Sequence, residues 1–432
     1  MRLRDSRTGE LHELRPGPDG TIGIYACGPT VYGRIHVGNA RPFLVFGLMK
    51  RYLEWRGQPV TLVENITDVN DKIYAAAQAQ GVASADLARD MAAAYVADTD
   101  RLGIGRPDRE PLASETLDEI VALIAELVAS EHAYEADGDV YFAVRSFAPY
   151  GELSGQRPDE LRAGARVEPG EHKRDPVDFA LWKATKPGED TSWPSPWGDG
   201  RPGWHIECSA MAEKLLGREF EVHGGGRDLI FPHHENEVAQ SCAAGRPFAR
   251  VWAHNGMLRL SGEKMSKSLG NIDGLAAALD RWGAETLIMF MLQAHYASPV
   301  DYDDEALERA RAACSTLRNR LRAGSGQDPG LRAAVCAALD DDFSTPQALA
   351  LLFRAPPTAR DTVAEVLDVL GLGSLAHDAP PPDDVVALAR ERQAARERRD
   401  FAESDRLRDE IGGRGFEVRD GTGGFELYPR DG

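Results

Sequence analysis

The strongest constraint on the fold is a strand–helix–strand pattern near the start of the chain. A β-rich run, TIGIYACG (21–28), precedes a helical stretch, ARPFLVFGLMKRYLEWRG (40–57), and a second β-rich run, PVTLVENITDV (59–69), follows it. Right-handed crossovers join such elements into a parallel βαβ unit. The pattern therefore predicts one half of a doubly wound sheet, in which ligands bind beyond the carboxyl ends of the strands.

The same rhythm returns after residue 203. HIECSAMAEKLLG (205–217) and PHHENEVAQSCAAG (232–245) are helical in character, and EFEVHGGG (219–226) between them is typical of a strand and a glycine turn. The stretch from 146 to 203 is dense in Pro, Gly, Ser and Trp, which favours an irregular insertion between the two halves. We therefore expect an α/β, Rossmann-like doubly wound parallel sheet with an insertion, followed by a helical bundle and a small C-terminal α+β domain.

The expected domain boundaries follow from these changes in character. They are 1–115 and 204–300 for the two halves of the sheet domain, 116–203 for the connective insertion, 301–376 for the helical bundle, 377–384 for a Pro-rich linker and 385–432 for the C-terminal domain. Proline inside a helix costs about 3 kcal/mol, so a bundle helix must stop at Pro356–Pro357 and the bundle is shortened. The C-terminal domain opens with one long charged helix, VVALARERQAARERRDFAESDRLRDEI (385–411), and ends in short β-prone pieces.

Composition excludes several classes of protein. No stretch approaches the roughly 18 apolar residues of a membrane span, and the polar N-terminus lacks the apolar core of a secretory signal. Five scattered cysteines favour a reducing cytoplasm over a disulfide framework. The formal charge of −19 gives no indication of a nucleic-acid partner. The fingerprint G-x-G-x-x-G is missing after the first strand, which argues against a nicotinamide or flavin cofactor.

The loop HVGN (36–39) opens a helix directly after the first strand and turn. An imidazole at a helix N-terminus, with Gly38 allowing close backbone approach, suits a phosphate. A loop histidine without any role explains His36 about equally well when the loop is considered alone.

A second loop, SGEKMSKSLGN (261–271), carries two lysines three residues apart between Gly262 and Gly270. Such a cationic loop suits the charge that develops on a polyphosphate in a transition state. The alternative is a solvated basic turn.

The stretch FPHHENEVAQ (231–240) places two histidines and two glutamates within five residues. His233 and Glu237 are four apart and share one helix face. By themselves these residues do not distinguish a metal site from a catalytic pair or an exposed polar face.

The two loops together resemble the signature motifs of class I aminoacyl-tRNA synthetases. Longer blocks resemble the cysteinyl-tRNA synthetase family in particular, from about residue 20 to the C-terminus and most densely before residue 300. These blocks are CGPTVYGRIHVGNARPF, ENITDVNDKI, KRDPVDFALWK, GWHIECSAMAEKLLG and VHGGGRDLIFPHHENEVAQS. The resemblance implies an enzyme that uses ATP with Mg²⁺ to activate L-cysteine and transfers it to tRNA(Cys). It also implies a cytoplasmic monomer whose residues 385–432 bind the anticodon.

The resemblance also implies one zinc ion per chain, with Cys27, Cys208, His233 and Glu237 as ligands. Zinc prefers four N, S and O ligands in a tetrahedron, and it binds a thiolate far better than a protonated serine hydroxyl. A pocket that tests only shape and apolarity rejects a near-isostere by roughly 100-fold, so a metal that binds the substrate sulfur removes the need for an editing domain. Cys242, Cys314 and Cys336 have no such context and are expected to be core or surface residues.

The remaining roles are also implied by the resemblance. The expected catalytic residues are His36, Asn39, Lys264 and Lys267. The expected ATP contacts are His36, Gly38, Asn39, Asp228, Lys264, Ser266 and Lys267. The expected cysteine pocket comprises Thr67, Trp204 and His234, with His234 about 100° from the zinc-binding face of its helix.

Two features depart from the family pattern. Relatives generally continue a long helix where this chain has Pro356–Pro357, and Asn39 stands where the first motif usually ends in histidine. An amide also donates to phosphate, so the departure is compatible with the same role. A rival within the same fold is the cysteine ligase of mycothiol synthesis, which passes activated cysteine to an amino sugar. That family typically lacks the C-terminal domain that RRDFAESDRLRDEIGGRGFEVRDGTGGFEL (398–427) resembles. A rival of another class, a non-catalytic zinc-stabilised paralogue, is expected to have lost the signature lysines or His36.

Overall fold

The computed structural model describes residues 1–160, 172–260, 263–264, 274–377, 381–421 and 424–429. The strands are β1 (Arg2–Arg4), β2 (Leu11–Glu13), β3 (Ile22–Ala26), β4 (Val60–Glu64), β5 (Ala133–Ala136), β6 (Asp139–Phe142), β7 (Phe179–Ala184), β8 (Gly200–Pro202), β9 (Glu219–Gly226), β10 (Phe248–Asn255), β11 (Leu258–Leu260), β12 (Glu263–Lys264), β13 (Val300–Asp301), β14 (Phe416–Gly421) and β15 (Gly424–Pro429). The helices are α1 (Val37–Trp55), α2 (Asp71–Gln80), α3 (Ser84–Asp100), α4 (Leu117–Ala129), α5 (Trp204–Leu216), α6 (Glu235–Ala243), α7 (Leu275–Leu292), α8 (Asp304–Leu321), α9 (Pro329–Asp340), α10 (Thr345–Arg354), α11 (Arg360–Val369), α12 (Asp383–Glu397) and α13 (Phe401–Gly413).

The centre of the protein is a four-stranded parallel sheet in the order β10-β9-β3-β4. All five residues of β3 are buried, which agrees with the near-continuous apolar runs expected of strands covered on both faces. Strands β3 and β4 come from the first half of the chain, and β9 and β10 come from the second half. The prediction of a doubly wound parallel sheet is confirmed, and the carboxyl ends of its strands meet at one edge.

Helix α1 connects β3 to β4 and begins directly after His36. Its first turn is closed by Asn39, whose Oδ1 accepts from the backbone N–H of His36 at 3.2 Å. The helix lies very close to the sheet, because a Cβ on Gly224 would come within 2.1 Å of the Phe46 ring. The glycine run of β9 therefore lets α1 pack directly over the strand ends.

The insertion between the two halves is more regular than the sequence predicted. Strands β5 to β8 form an antiparallel sheet that packs on α4 around its own apolar cluster. The expectation of irregular structure was wrong for FALWKA (179–184), which forms β7 and buries Trp182 completely. The prolines and glycines that suggested irregularity lie mostly in the connections, where they do not interrupt hydrogen bonding between strands.

The C-terminal part of the chain begins with helices, as predicted, and ends in two helices and two strands. Helix α10 ends at Arg354, just before Pro356–Pro357, and α11 resumes at Arg360. The single charged helix predicted for 385–411 is instead two helices, α12 and α13, since Arg399 between them has φ of 59°. Helix α12 already begins at Asp383, inside the predicted linker. Within the described part of the chain, no helix has both the length and the apolar character that crossing a membrane requires.

Candidate active site and metal centre

Four potential metal ligands converge at the carboxyl edge of the sheet. Cys27 follows β3, Cys208 lies on α5, His233 precedes α6 and Glu237 lies on its first turn. One ligand atom from each residue lies within 4.8 Å of every other, and all four residues are buried. The structure therefore brings together the four residues that the resemblance implied, although they span 210 positions of the chain.

The distances within this quartet suit a tetrahedral ion. Cys27 Sγ is 3.8 Å from Cys208 Sγ, 3.5 Å from His233 Nε2 and 3.7 Å from Glu237 Oε1. His233 Nε2 is 3.1 Å from Glu237 Oε1. Ligands placed 2.0–2.3 Å from a shared zinc in a tetrahedron lie about 3.3–3.8 Å apart. Two thiols, an imidazole and a carboxylate at these separations fit zinc in both donor type and spacing.

Burial shapes the protonation of this quartet. It raises the pKa of the Cys27 thiol well above its ordinary value and also raises that of Cys208. Burial lowers the pKa of His233 well below its ordinary value, with the neighbouring His205 adding to the effect. The imidazole is therefore neutral and able to coordinate, and a divalent cation bound at this quartet would supply the positive charge that favours thiolates.

Outer contacts hold the ligands in place. Glu237 Oε2 lies 2.9 Å from His223 Nε2, and His233 Nδ1 lies 2.9 Å from His205 Nδ1. The Trp204 ring stacks on His233 with centroids 4.2 Å apart and planes 17° apart. Such contacts fix the orientation of metal ligands. Sequence reasoning missed His205 and His223, and the only available signal was that each lies in a block shared with the resembling family.

A second group overlaps the first. Cys27, His223, His234 and Glu237 also present ligand atoms within 4.8 Å of one another. His234 is fully buried, and its Nδ1 lies 2.7 Å from His254 Nε2. The centroid of its ring is 5.3 Å from that of Trp252. The first group is the better metal candidate, because it has two thiol ligands and the second group has one.

That cavity has a volume of about 210 Å³ and lies between the N-terminus of α1 and the ends of β9 and β10. The residues that line it include Cys27, Tyr32, His36, Gly38, Asn39, Lys72, Trp204, Asp228, Asn255, Gly256 and Met257. Sequence reasoning missed Tyr32 and Lys72, and it also missed the last three, which lie at the end of β10 or directly after it without a recognisable motif. A Cβ on Gly38 would lie 2.9 Å from His36 Cε1, so only glycine leaves room for this imidazole.

Several predicted site residues line this cavity and others do not. His36, Gly38, Asn39, Trp204 and Asp228 are on its walls. Thr67 is buried behind them and accepts a hydrogen bond from Asn65 Nδ2 at 3.2 Å. Neither His234 nor Thr67 is among the described residues that line the cavity. Of the second motif, only the backbone of Lys264 is described, in β12, and Ser266 and Lys267 lie outside the described residues.

Backbone contacts join the first motif to the residues that follow the second motif. His36 forms a β-bridge with Gly274, and the Leu275 N–H donates to the Ile35 carbonyl at 3.0 Å. The segment that carries the two lysines therefore ends beside the N-terminus of α1. Of the other cysteines, Cys314 is buried and Cys242 and Cys336 are half-buried, and the described metal-ligand groups contain none of them.

The parallel sheet, the cavity at its carboxyl edge and the two linked motifs define a class I tRNA synthetase. Residues 13–312 match the family model described as "tRNA synthetases class I (C) catalytic domain". The fold resembles Mycobacterium tuberculosis methionyl-tRNA synthetase in complex with methionyl-adenylate, with a TM-score of 0.60 and 15% identity over 82% of this chain and 88% of that one.

The comparisons with curated proteins are more specific. Cysteine–tRNA ligases from Halorhodospira halophila and Alkalilimnicola ehrlichii are each 46% identical, over 97% and 98% of both chains respectively. The cysteine–tRNA ligase from Caldicellulosiruptor saccharolyticus is 41% identical over 99% of both chains. Residues 380–426 match the model described as "Cysteinyl-tRNA ligase anticodon binding domain". The chain belongs to the cysteine–tRNA ligase family.

Proposed function

We propose that this protein is an aminoacyl-tRNA synthetase that activates L-cysteine with ATP and transfers it to tRNA(Cys). The observation that carries the proposal is the buried quartet Cys27, Cys208, His233 and Glu237 at the edge of the strand-end cavity. A donor set of this kind at the edge of the strand-end cavity suits a substrate that is recognised through its sulfur.

In this proposal the quartet would hold one zinc ion, which would supply a Lewis acid that favours a substrate thiol over a hydroxyl. Serine keeps its proton and binds such a site weakly. Cys27 is 6% exposed and reaches the cavity wall. Trp204 stacks on His233 and lines the same cavity, so it shields the ligand and forms an apolar side of the cysteine pocket. Thr67 and His234 support that pocket from behind.

The phosphates of ATP, which enters with Mg²⁺, bind at the N-terminus of α1. There the free N–H groups and the positive end of the helix dipole favour an anion, and Gly38 lets it approach the backbone. His36 and Asn39 donate to the phosphates. The cysteine carboxylate is itself the nucleophile on the α-phosphate, so this step needs no general base. Asp228 accepts from the ribose hydroxyls or the substrate ammonium.

The second motif acts on the leaving group. Lys264, Ser266 and Lys267 stabilise the pyrophosphate as its charge develops, with Lys267 contributing most. The family similarity of the whole block and the link from Gly274 to His36 support this assignment.

The domains divide the work in the proposal. Residues 1–115 and 204–300 form the catalytic domain, 116–203 the connective insertion, 301–376 a shortened helical bundle, 377–384 a linker and 385–432 the anticodon-binding domain. The separate apolar cluster of Val385, Ala389, Ile411 and Val418 supports a distinct C-terminal unit. We further propose that the enzyme is a cytoplasmic monomer.

Acceptor identity tests the proposal most directly. Radiolabelled cysteine and ATP are incubated with the protein and either tRNA(Cys) or glucosaminyl-inositol. Label is expected on tRNA, and tRNA whose terminal ribose has been oxidised with periodate should remain unlabelled. Label on the amino sugar alone would favour the mycothiol-type ligase, and label on neither would favour a non-catalytic paralogue.

A further inference from the structure

Arg41 is a buried cation on the first turns of α1, five residues after His36. It is only 1% exposed. Burial lowers its pKa to about 10, so the guanidinium remains charged at neutral pH. A charge in such a place is costly unless hydrogen bonds satisfy it. Its partners therefore show what the structure uses it for.

Those partners are backbone carbonyl groups from two separate segments. Nη1 donates to the Gly256 carbonyl at 2.6 Å and lies 3.5 Å from that of Met257. Nη2 donates to the Ser298 carbonyl at 2.8 Å and lies 3.4 Å from that of His295. One planar fork thus joins segments that are about 40 residues apart, a geometry that a lysine ammonium cannot reproduce.

The two segments are packed tightly where Arg41 holds them. A Cβ on Gly256 would come within 2.1 Å of the Ser298 carbonyl oxygen. The Gly256 N–H also donates to the Tyr296 carbonyl at 2.8 Å. The guanidinium is part of this tight contact, and its loss is expected to let Gly256 and its neighbour Met257 move relative to α1.

This movement matters because the cavity has two walls. Gly256 and Met257 line one wall, and His36 and Asn39 at the start of α1 line the other. Arg41 belongs to α1 and contacts the backbone carbonyl groups of Gly256 and Met257, so it joins the two walls directly. We infer that Arg41 is a positioning residue that sets the width of the nucleotide part of the cavity, an inference that rests on the proposed function.

The same helix offers a matched control. Arg51 also donates to backbone carbonyl groups, those of Val369 at 3.2 Å and Asp368 at 2.5 Å. These belong to the end of α11 in the helical bundle, away from the cavity. Arg51→Lys therefore disturbs a comparable clamp without touching the site.

The experiment compares Arg41→Lys, Arg41→Gln and Arg51→Lys in the full-length chain by cysteine-dependent ATP–pyrophosphate exchange. A displacement of about 1 Å costs up to roughly 100-fold in rate, so the Arg41 variants should lose about 10- to 100-fold in kcat/KM for ATP. Their KM for cysteine and their zinc content should stay within about twofold of wild type, as expected when only one substrate's site is disturbed. Arg51→Lys should lower the midpoint of thermal unfolding with little change in either KM.

Three results would overturn the inference. The first is an equal rise in KM for ATP and cysteine, and the second is an ATP defect of the same size in Arg51→Lys. The third is loss of folded protein in both Arg41 variants while Arg51→Lys folds, which would assign the guanidinium to stability alone. If the wild type shows no cysteine-dependent exchange, the proposed function fails separately. Calorimetric titration with a non-hydrolysable ATP analogue then still tests Arg41, and equal affinity in wild type and variants would reject its role.

Discussion

His223 Nε2 lies 2.9 Å from Glu237 Oε2, although one residue is on strand β9 and the other on helix α6. Both side chains are fully buried. This contact occupies one carboxylate oxygen and turns the other, Oε1, toward Cys27 and His233. The orientation of the Glu237 carboxylate in the candidate metal site therefore depends on His223, which is not itself a member of the quartet.

His223→Leu removes this contact and keeps most of the side-chain volume. Loss of such an outer partner typically costs 10- to 100-fold in metal affinity, so zinc affinity should fall by about that factor. Competition with a chelating dye measures it. The control is His132→Leu in the insertion, whose imidazole contacts Ser146 instead. An unchanged zinc affinity in His223→Leu would show that Glu237 needs no such support.

Cys208→Ser tests the quartet itself. A serine hydroxyl remains protonated and is a poor zinc ligand, so the purified variant should contain far less than one zinc per chain and lose discrimination against serine. Elemental analysis and exchange assays with cysteine and serine measure the two effects. Cys242→Ser, which is half-buried on the same helix as Glu237, is the matched control. Full cysteine activity in wild type after rigorous zinc removal would refute the selectivity argument.

Lys267→Ala tests the second motif. Removal of a charged contact to the transition state typically costs about 100- to 1,000-fold, and pyrophosphate exchange should slow by that factor. Cysteine binding should change little, because this lysine is proposed to act on the phosphates. Lys214→Ala breaks a surface ion pair in which Lys214 Nζ lies 2.8 Å from Glu119 Oε1. This control should leave both pyrophosphate exchange and cysteine binding unchanged. An equal loss of cysteine affinity in Lys267→Ala would place the lysine in the wrong subsite.

Deletion of residues 377–432 should separate activation from transfer. The C-terminal unit has its own apolar cluster, so its removal exposes little of the main core. Across the boundary, the Arg322 guanidinium lies 4.4 Å from the centroid of the Tyr428 ring. Water can solvate this guanidinium once the deletion removes Tyr428. Pyrophosphate exchange without tRNA should persist while cysteinyl-tRNA formation falls sharply and becomes less sensitive to salt. Unchanged tRNA charging would exclude an anticodon-binding role for this unit.

The pH dependence of stability should contain a signal from Glu64. Burial raises its pKa from 4.5 to about 7, and Tyr95 donates a hydrogen bond to its Oε1. The folded chain therefore holds this proton more tightly than the unfolded chain does. Stability is lost as pH rises from about 4.5 through about 7. Glu64→Gln should remove this part of the dependence of the free energy of unfolding on pH. Urea unfolding between about pH 5 and about pH 8 at a constant zinc concentration measures it. A slope equal to that of wild type would mean that another group titrates.

Comparison of particular elements shows where sequence reasoning succeeded. The apolar runs that became β3 and β4 predicted parallel strands correctly, since burial on both faces leaves a direct mark in composition. Pro356–Pro357 also ended α10 as expected. The insertion was harder, because its strands are short and β7 pairs with β6 and β8 across long connections. The sequence pattern placed Trp182 in an irregular stretch, whereas in the structure this residue is fully buried in a small apolar core.

The site divides in the same way. The sequence by itself determined the doubly wound fold, the family, and the identity of Cys27, Cys208, His233 and Glu237 as candidates, because local patterns and family blocks are written directly in the residues. Only the tertiary structure decided that His223 holds Glu237, that Trp204 covers His233 and that Arg41 joins the cavity walls. Each of these contacts connects two separate elements of the fold, and no local pattern encodes it, since the sheet and its crossovers bring those side chains within hydrogen-bonding or van der Waals distance.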